Sequence, residues 1–213
     1  MTDRPILFSA PMVRALLGGR KTQTRRIIKK PAAINALSVF GPKFLLLPGN
    51  IDLVGFAHGD RLWVRETWQE FFEDEIPAGR STQISGRMGI PAQPRRRSVV
   101  VLRADGEMPN HPEHGRALWR PSIYMPRWAS RLTLLVTDVR VQRLQDISEA
   151  DAIAEGIIPT ANSQTIDCAT ERPSDGFRAL WNSIHGPEAW DANPWVAAIS
   201  FDVVRANIDE DGK

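Results

Sequence analysis

The longest β-like run in the chain, residues 131–143, reads Arg-Leu-Thr-Leu-Leu-Val-Thr-Asp-Val-Arg-Val-Gln-Arg. Its density of β-branched and apolar residues predicts a strand that crosses the core. Shorter β-like runs stand at 5–8, 20–28, 61–68, 98–102 and 194–204. Helical spacing is found at 12–17, 149–155 and 177–184, the last with Phe177, Leu180, Trp181 and Ile184 at i, i+3, i+4 and i+7. No β–α alternation is sustained, so the pattern predicts an α+β chain built as a small mixed barrel rather than a doubly wound sheet. Segments 31–57 and 69–118 carry little periodicity and read as two long loop insertions, the second holding a mobile loop at 69–94. With 213 residues there is material for one core. A single domain over 1–205, followed by a flexible tail at 206–213, is the expectation.

Local signals place the element ends. Ser9-Ala10-Pro11 starts the first helix and Gly18-Gly19 stops it. Ser148 is an N-cap with Asp151 three residues on, and that helix ends at Glu155-Gly156. On an ideal strand over 61–68, Leu62, Val64, Glu66 and Trp68 face one way and Arg61, Trp63, Arg65 and Thr67 the other, leaving Glu66 as an acid on a largely apolar face. The prolines of the 119–128 stretch impose an extended course there.

Several functions are disfavoured outright. One cysteine, Cys168, excludes an internal disulfide framework and a thiolate metal cluster. Of the four histidines, His111 and His114 form an i, i+3 pair in a proline-rich loop without a third ligand, so no metal is expected. There is no glycine-rich phosphate loop after a strand and no Gly-x-Ser-x-Gly elbow. No cofactor is implied. No window approaches the roughly 20 apolar residues of a membrane span, which with the cysteine usage suggests a cytoplasmic protein with no membrane partner.

The charge pattern is informative. The chain holds 22 Arg against 5 Lys and 7 Trp against 1 Tyr, favouring flat, stackable groups. Net charge is +7 over residues 1–59, +4 over 60–143 and −9 over 144–213. Such asymmetry fits either a basic surface that attracts phosphates or an acidic third that folds back to neutralise the rest. The segment Gly19-Arg-Lys-Thr-Gln-Thr-Arg-Arg26 concentrates four cations and two hydroxyls just past a helix end. By itself it fits a solvated basic edge strand slightly better than anion binding.

The motif Gly19-x-Lys21-x-x-x-x-Arg26 behind a short helix resembles the signature of the ASCH domain, a β-barrel family related to the PUA fold. Agreeing features follow in order: Gly59-Asp60-x-Leu62-x-Val64, the long strand 131–143, Leu144-x-x-Ile147-Ser148 leading to Glu155-Gly156, and the closing strand 195–204. Trp-Val-Arg-Glu-Thr-Trp68 and Met-Pro-Arg-Trp-Ala-Ser-Arg131 look like the ASCH proteins of phages and prophages. The resemblance implies a PUA-like barrel that binds a nucleoside or single-stranded RNA in a basic cleft. Arg20, Arg25 and Arg26, with Arg95–Arg97, would meet phosphate, Trp63, Trp68 or Trp128 would stack a base, Arg65 would also line the ligand site, and Glu66 would be a second acid. Some relatives are amidohydrolases of N4-acetylcytidine, and their lysine, threonine and glutamate fall on Lys21, Thr24 and Glu155. In that chemistry a desolvated Lys21 takes the Thr24 proton and the hydroxyl attacks the amide, with Glu155 orienting Lys21 or passing a proton. Other relatives are described as ribonucleases, and a structural phage role is a further option. On an ideal strand Lys21 and Thr24 point apart, so the triad requires a bend just after Gly19.

Overall fold

A computed structural model describes residues 2–72, 98–106, 119–158 and 172–210. Arg95–Arg97, His111, His114, Cys168 and most of the 69–94 loop lie outside the described residues. The chain is α+β. A five-stranded mixed sheet has the order β1 (Asp3–Leu7), β3 (Arg61–Arg65), β6 (Thr133–Arg143), β7 (Trp195–Val204) and β2 (Gln23–Ile27). A second, two-stranded sheet pairs β4 (Trp68–Phe72) with β5 (Ser98–Leu102). The expected closed barrel is not found. The five-residue strands β1 and β2 are the sheet edges, each bonded to one neighbour, and β4 and β5 form a separate two-stranded sheet.

Two compact units divide the chain. The first comprises Gly18–Asp60 and Leu135–Asp202, with the first two residues. It contains β2, which pairs antiparallel with β7 so that Thr24 faces Ile199 and Arg26 faces Ala197 across the ladder. It also holds α5 (Glu149–Ala154) and α6 (Pro173–His185), whose apolar faces share a core of Leu144, Ile147, Ala152, Phe177, Trp181 and Val196. The Ser148 cap is formed, its Oγ accepting from the Asp151 N–H at 3.1 Å. Ile184, expected on the apolar face of α6, is half exposed at the helix end.

Segment 31–57 is not a featureless loop. It folds into α2 (Pro31–Phe40), α3 (Pro42–Leu45) and α4 (Ile51–Val54). Pro31 and Pro42 open the first two helices, where a missing N–H costs nothing. The helical period was hidden because α2 is apolar nearly all round. Ala33 and Leu37 point inward while Ile34, Val39 and Phe40 are exposed.

The second unit comprises Asp3–Leu17, Arg61–Leu134 and Val203–Lys213. Here β1 runs parallel to β3, Pro5 opposite Trp63. The helix α1 (Ala10–Leu17) buries Val13, Ala15 and Leu16. The expected strand 61–68 breaks after Arg65, and Trp68 opens β4 in the smaller sheet. Trp68, Leu102, Met125 and Ala129 form a local core. The 119–128 stretch is not simply extended: 3-10 turns at Ser122–Tyr124 and Arg127–Ala129 each follow a proline whose fixed φ starts the turn. Residues 206–210, expected to begin a flexible tail, are anchored. Ile208 is buried, the Asn207 amide donates to the carbonyls of Arg127, Trp128 and Ser130, and Asp209 pairs with Arg127.

Candidate functional site

The chain turns sharply just before β2. Gly19 has φ +67°, a left-handed value that glycine adopts without strain, and β2 does not begin until Gln23. Between them the Thr22 backbone is held on both sides: its N–H donates to the Ala154 carbonyl (2.8 Å) and its carbonyl accepts from Phe201 (3.0 Å). Lys21 is thereby directed at the C-terminal end of α5. It is 1% exposed, and its Nζ donates to Glu155 Oε2 (2.7 Å) and to the Glu155 carbonyl (2.9 Å). Gly156, at φ +96°, turns the chain away immediately after Glu155.

Arg25 completes the enclosure. Its Nη1 donates to Glu155 Oε1 (3.1 Å) and Gln23 Oε1 (2.6 Å), and its Nη2 to Asp151 Oδ2 (2.8 Å). Asp151 also accepts from Arg140 Nη2 at 2.9 Å and Gln23 Nε2 at 3.3 Å. Asp151 and Glu155 lie four residues apart, so one face of α5 presents both carboxylates to β2. The Arg25 guanidinium lies 5.6 Å from the Phe177 ring centroid, and its Nε is buried without a hydrogen-bond partner.

Burial dominates the electrostatics. It pushes Lys21 below the ordinary lysine range; Glu155 opposes that shift, while Arg26 and Arg25 add to it. Burial works against the Asp151 carboxylate, but Arg140, Arg25 and Gln23 together hold it below the usual range. The outcome is a buried ammonium whose charge is opposed by burial and held by its hydrogen bonds to Glu155.

The other expected residues are distributed as follows. Thr24 is buried, and strand alternation sets it with Arg26 on the opposite face of β2 from Gln23 and Arg25. Arg26 is half-buried and is acted on by the Glu155 charge. Arg20 is exposed. Arg25 is an internal strut rather than an open phosphate ligand, because two carboxylates already engage its guanidinium.

Trp63, Arg65, Glu66, Trp68 and Trp128 belong to the other compact unit. Trp63 and Trp68 are buried and Trp128 is half-buried, edge-on to Trp68 at 6.3 Å between centroids. Arg65 covers the Trp63 ring at 4.6 Å. Glu66 is 1% exposed and gripped by Arg131, Nε to Oε1 and Nη2 to Oε2 at 3.0 Å each. Arg131 Nη1 also reaches Asp105 Oδ2 at 2.8 Å. Burial raises the Glu66 carboxyl above the usual range; Arg131 opposes the shift and Asp105 adds to it.

Sequence reasoning missed Asp151, Gln23 and Arg140 as parts of the first cluster and Arg131 as the clamp on Glu66. The i, i+4 spacing of Asp151 and Glu155 was the available signal for the first. No described group of histidine, cysteine and carboxylate residues could hold a metal ion. Among the described residues no helix is long and apolar enough to cross a membrane. No family model, no curated protein and no solved structure matches this chain.

Proposed function

We propose that this protein is an ASCH-type nucleobase-binding protein that takes a nucleoside, or an exposed base of RNA, at the Lys21–Arg25–Glu155 cluster. The observation that carries the reading is the Lys21 ammonium, enclosed and 2.7 Å from Glu155. A carboxylate acceptor beside an ammonium donor matches the mixed donor and acceptor edge of a base, and the surrounding burial strengthens each hydrogen bond.

A second reading, hydrolysis of an acyl-amide on a modified nucleoside, is favoured by one specific observation: Lys21 Nζ is enclosed 2.7 Å from the Glu155 carboxylate, where burial pushes it toward its neutral form. Neutral Lys21 would take the proton from an attacking hydroxyl, either Thr24 or water. The hydroxyl oxygen adds to the amide carbonyl, the C–N bond breaks, and the amine departs with the proton carried by Lys21. Glu155 would hold Lys21 in place and share that proton. If Thr24 attacks, water then releases the acyl group from it.

Calorimetric titration with cytidine and N4-acetylcytidine, alongside chromatographic detection of cytidine released from the acylated form, separates the readings. Binding lost in Lys21→Met, without turnover by the wild type, supports recognition alone. Turnover lost in Lys21→Met and in Thr24→Val identifies hydrolysis through Thr24; turnover surviving Thr24→Val points to water. If the wild type neither binds nor converts either compound, the proposal fails.

A further inference from the structure

The tryptophans expected to stack a base are poorly placed for it, since Trp63 and Trp68 are buried. The chain's one tyrosine has the opposite setting. Tyr124 is 71% exposed, beside an exposed Ile123. It is also rigidly mounted. The Tyr124 N–H donates to the Pro121 carbonyl (3.0 Å) and the Met125 N–H to that of Ser122 (3.1 Å). Met125 is fully buried; its carbonyl accepts from Arg65 Nε (3.0 Å) and its Sδ from the Glu66 N–H (3.2 Å).

Three guanidinium-bearing residues gather on the same short segment, 65–68. Arg65 contributes the contact to Met125 just described. The Arg103 N–H donates to the Thr67 carbonyl at 2.9 Å. Arg120 exchanges backbone hydrogen bonds with Trp68 at 2.8 and 3.2 Å, and its guanidinium lies 5.2 Å from the Trp68 ring centroid. Among the described residues none of these three forms an ion pair, whereas Arg61, Arg127 and Arg131 of the same unit are each tied to carboxylates. Among the described residues, three guanidinium-bearing residues without an ion pair are therefore tied to the segment that also anchors the turn carrying Tyr124.

We propose that the Ser122–Tyr124 turn, with Arg65, Arg103 and Arg120, is a docking surface for single-stranded nucleic acid, an unpaired base stacking on Tyr124 and phosphates meeting the guanidiniums. The charge complement selects a polyanion, and the exposed ring selects a strand whose bases are not already stacked in a duplex. The ligand class rests on the nucleobase-binding reading above, and what this surface adds is a second place on the chain where a strand is held.

Fluorescence anisotropy with a labelled RNA of about 12 nucleotides tests it, because that length spans a single-strand site of typical size. Tyr124→Ala is expected to weaken binding about tenfold and Tyr124→Phe to retain it, since stacking needs only the ring. Arg120→Ala and Arg103→Ala are each expected to reduce the slope of log affinity against log salt by about 0.7. A DNA strand bound with the same dependence on Tyr124 supports the surface equally. Unchanged binding in Tyr124→Ala overturns it, as does a wild type that prefers duplex or binds no strand. A Tyr124→Ala effect confined to self-association in sedimentation overturns it in favour of a second copy of the chain. Cytidine titration keeps the two proposals apart. Cytidine bound by Tyr124→Ala and lost by Lys21→Met, with no strand bound by the wild type, sinks the surface and leaves the nucleobase site standing.

Discussion

Each compact unit buries a cluster of opposite charges, and the two are built on different cations. In the Lys21 cluster a lysine and an arginine share Glu155, and Arg25 is also anchored by Asp151. In the Glu66 cluster one guanidinium spans two carboxylates. Burial pushes Lys21 and Glu66 alike toward their neutral forms. The two cations differ in kind, because a lysine ammonium can lose its proton while an arginine keeps its own. The lesson is that burying a charged cluster leaves a titratable cation only when that cation is a lysine. With arginine as the cation, the same burial produces a clamp.

The largest expected effect comes from breaking the Lys21 cluster. Glu155→Ala leaves two buried cations without their shared carboxylate and should cost about 3–5 kcal/mol in denaturant unfolding. Lys21→Met combined with Glu155→Leu should recover much of that, since an apolar pair leaves no buried charge behind. A Glu155→Ala cost below about 1 kcal/mol, the range of an exposed pair, would show that the cluster is open to solvent.

The two clusters should also respond to pH in opposite directions. The Lys21 pKa in the folded protein lies below the ordinary value of 10.5, so between the two values the unfolded chain binds more protons. Stability supplied by this group therefore rises as pH climbs through the folded pKa toward 10.5, and Lys21→Met flattens the rise. The Glu66 pKa lies above its ordinary 4.5, so there the native state binds more protons. Its contribution falls as pH climbs from 4.5 through the folded pKa, and Glu66→Gln removes that fall. Thermal melts across both windows would break the comparison if the two slopes had the same sign.

The smallest effect sharpens where the first cluster ends. Arg140 contacts Asp151 but its side chain is 41% exposed, so Arg140→Ala should cost no more than about 1 kcal/mol by chemical denaturation. A loss as large as that of Glu155→Ala would make Arg140 an integral member of the buried network.

How much of this was legible in the sequence differs from element to element. The helix capped by Ser148 and the strands at 133–143 and 195–204 were readable because a cap and a run dense in β-branched and apolar residues are local signals. The helices α2–α4 were not, because a helix that is apolar on both faces has no stripe to detect. The break after Arg65 was hidden because Glu66 and Trp68 continue the alternation of buried residues even though they leave the strand. The Lys21–Glu155 contact was reached only through a family resemblance; no local rule pairs residues so far apart. Arg25 was taken for a phosphate ligand because a motif gives residue types, while the carboxylates that occupy its guanidinium come from a distant helix.

That separation bears on how the protein is made. Lys21 and Glu155 are 134 residues apart along the chain, so the contact closes a long loop and belongs to the high-contact-order part of folding. During synthesis Lys21 leaves the ribosome well before its partner exists, and must remain hydrated until α5 has been made and can dock beside β2. Chains halted before residue 149 would carry the complete Gly19–Arg26 motif and still lack the site. In this molecule the motif supplies one half of the buried charge cluster, and the other half is made 134 residues later.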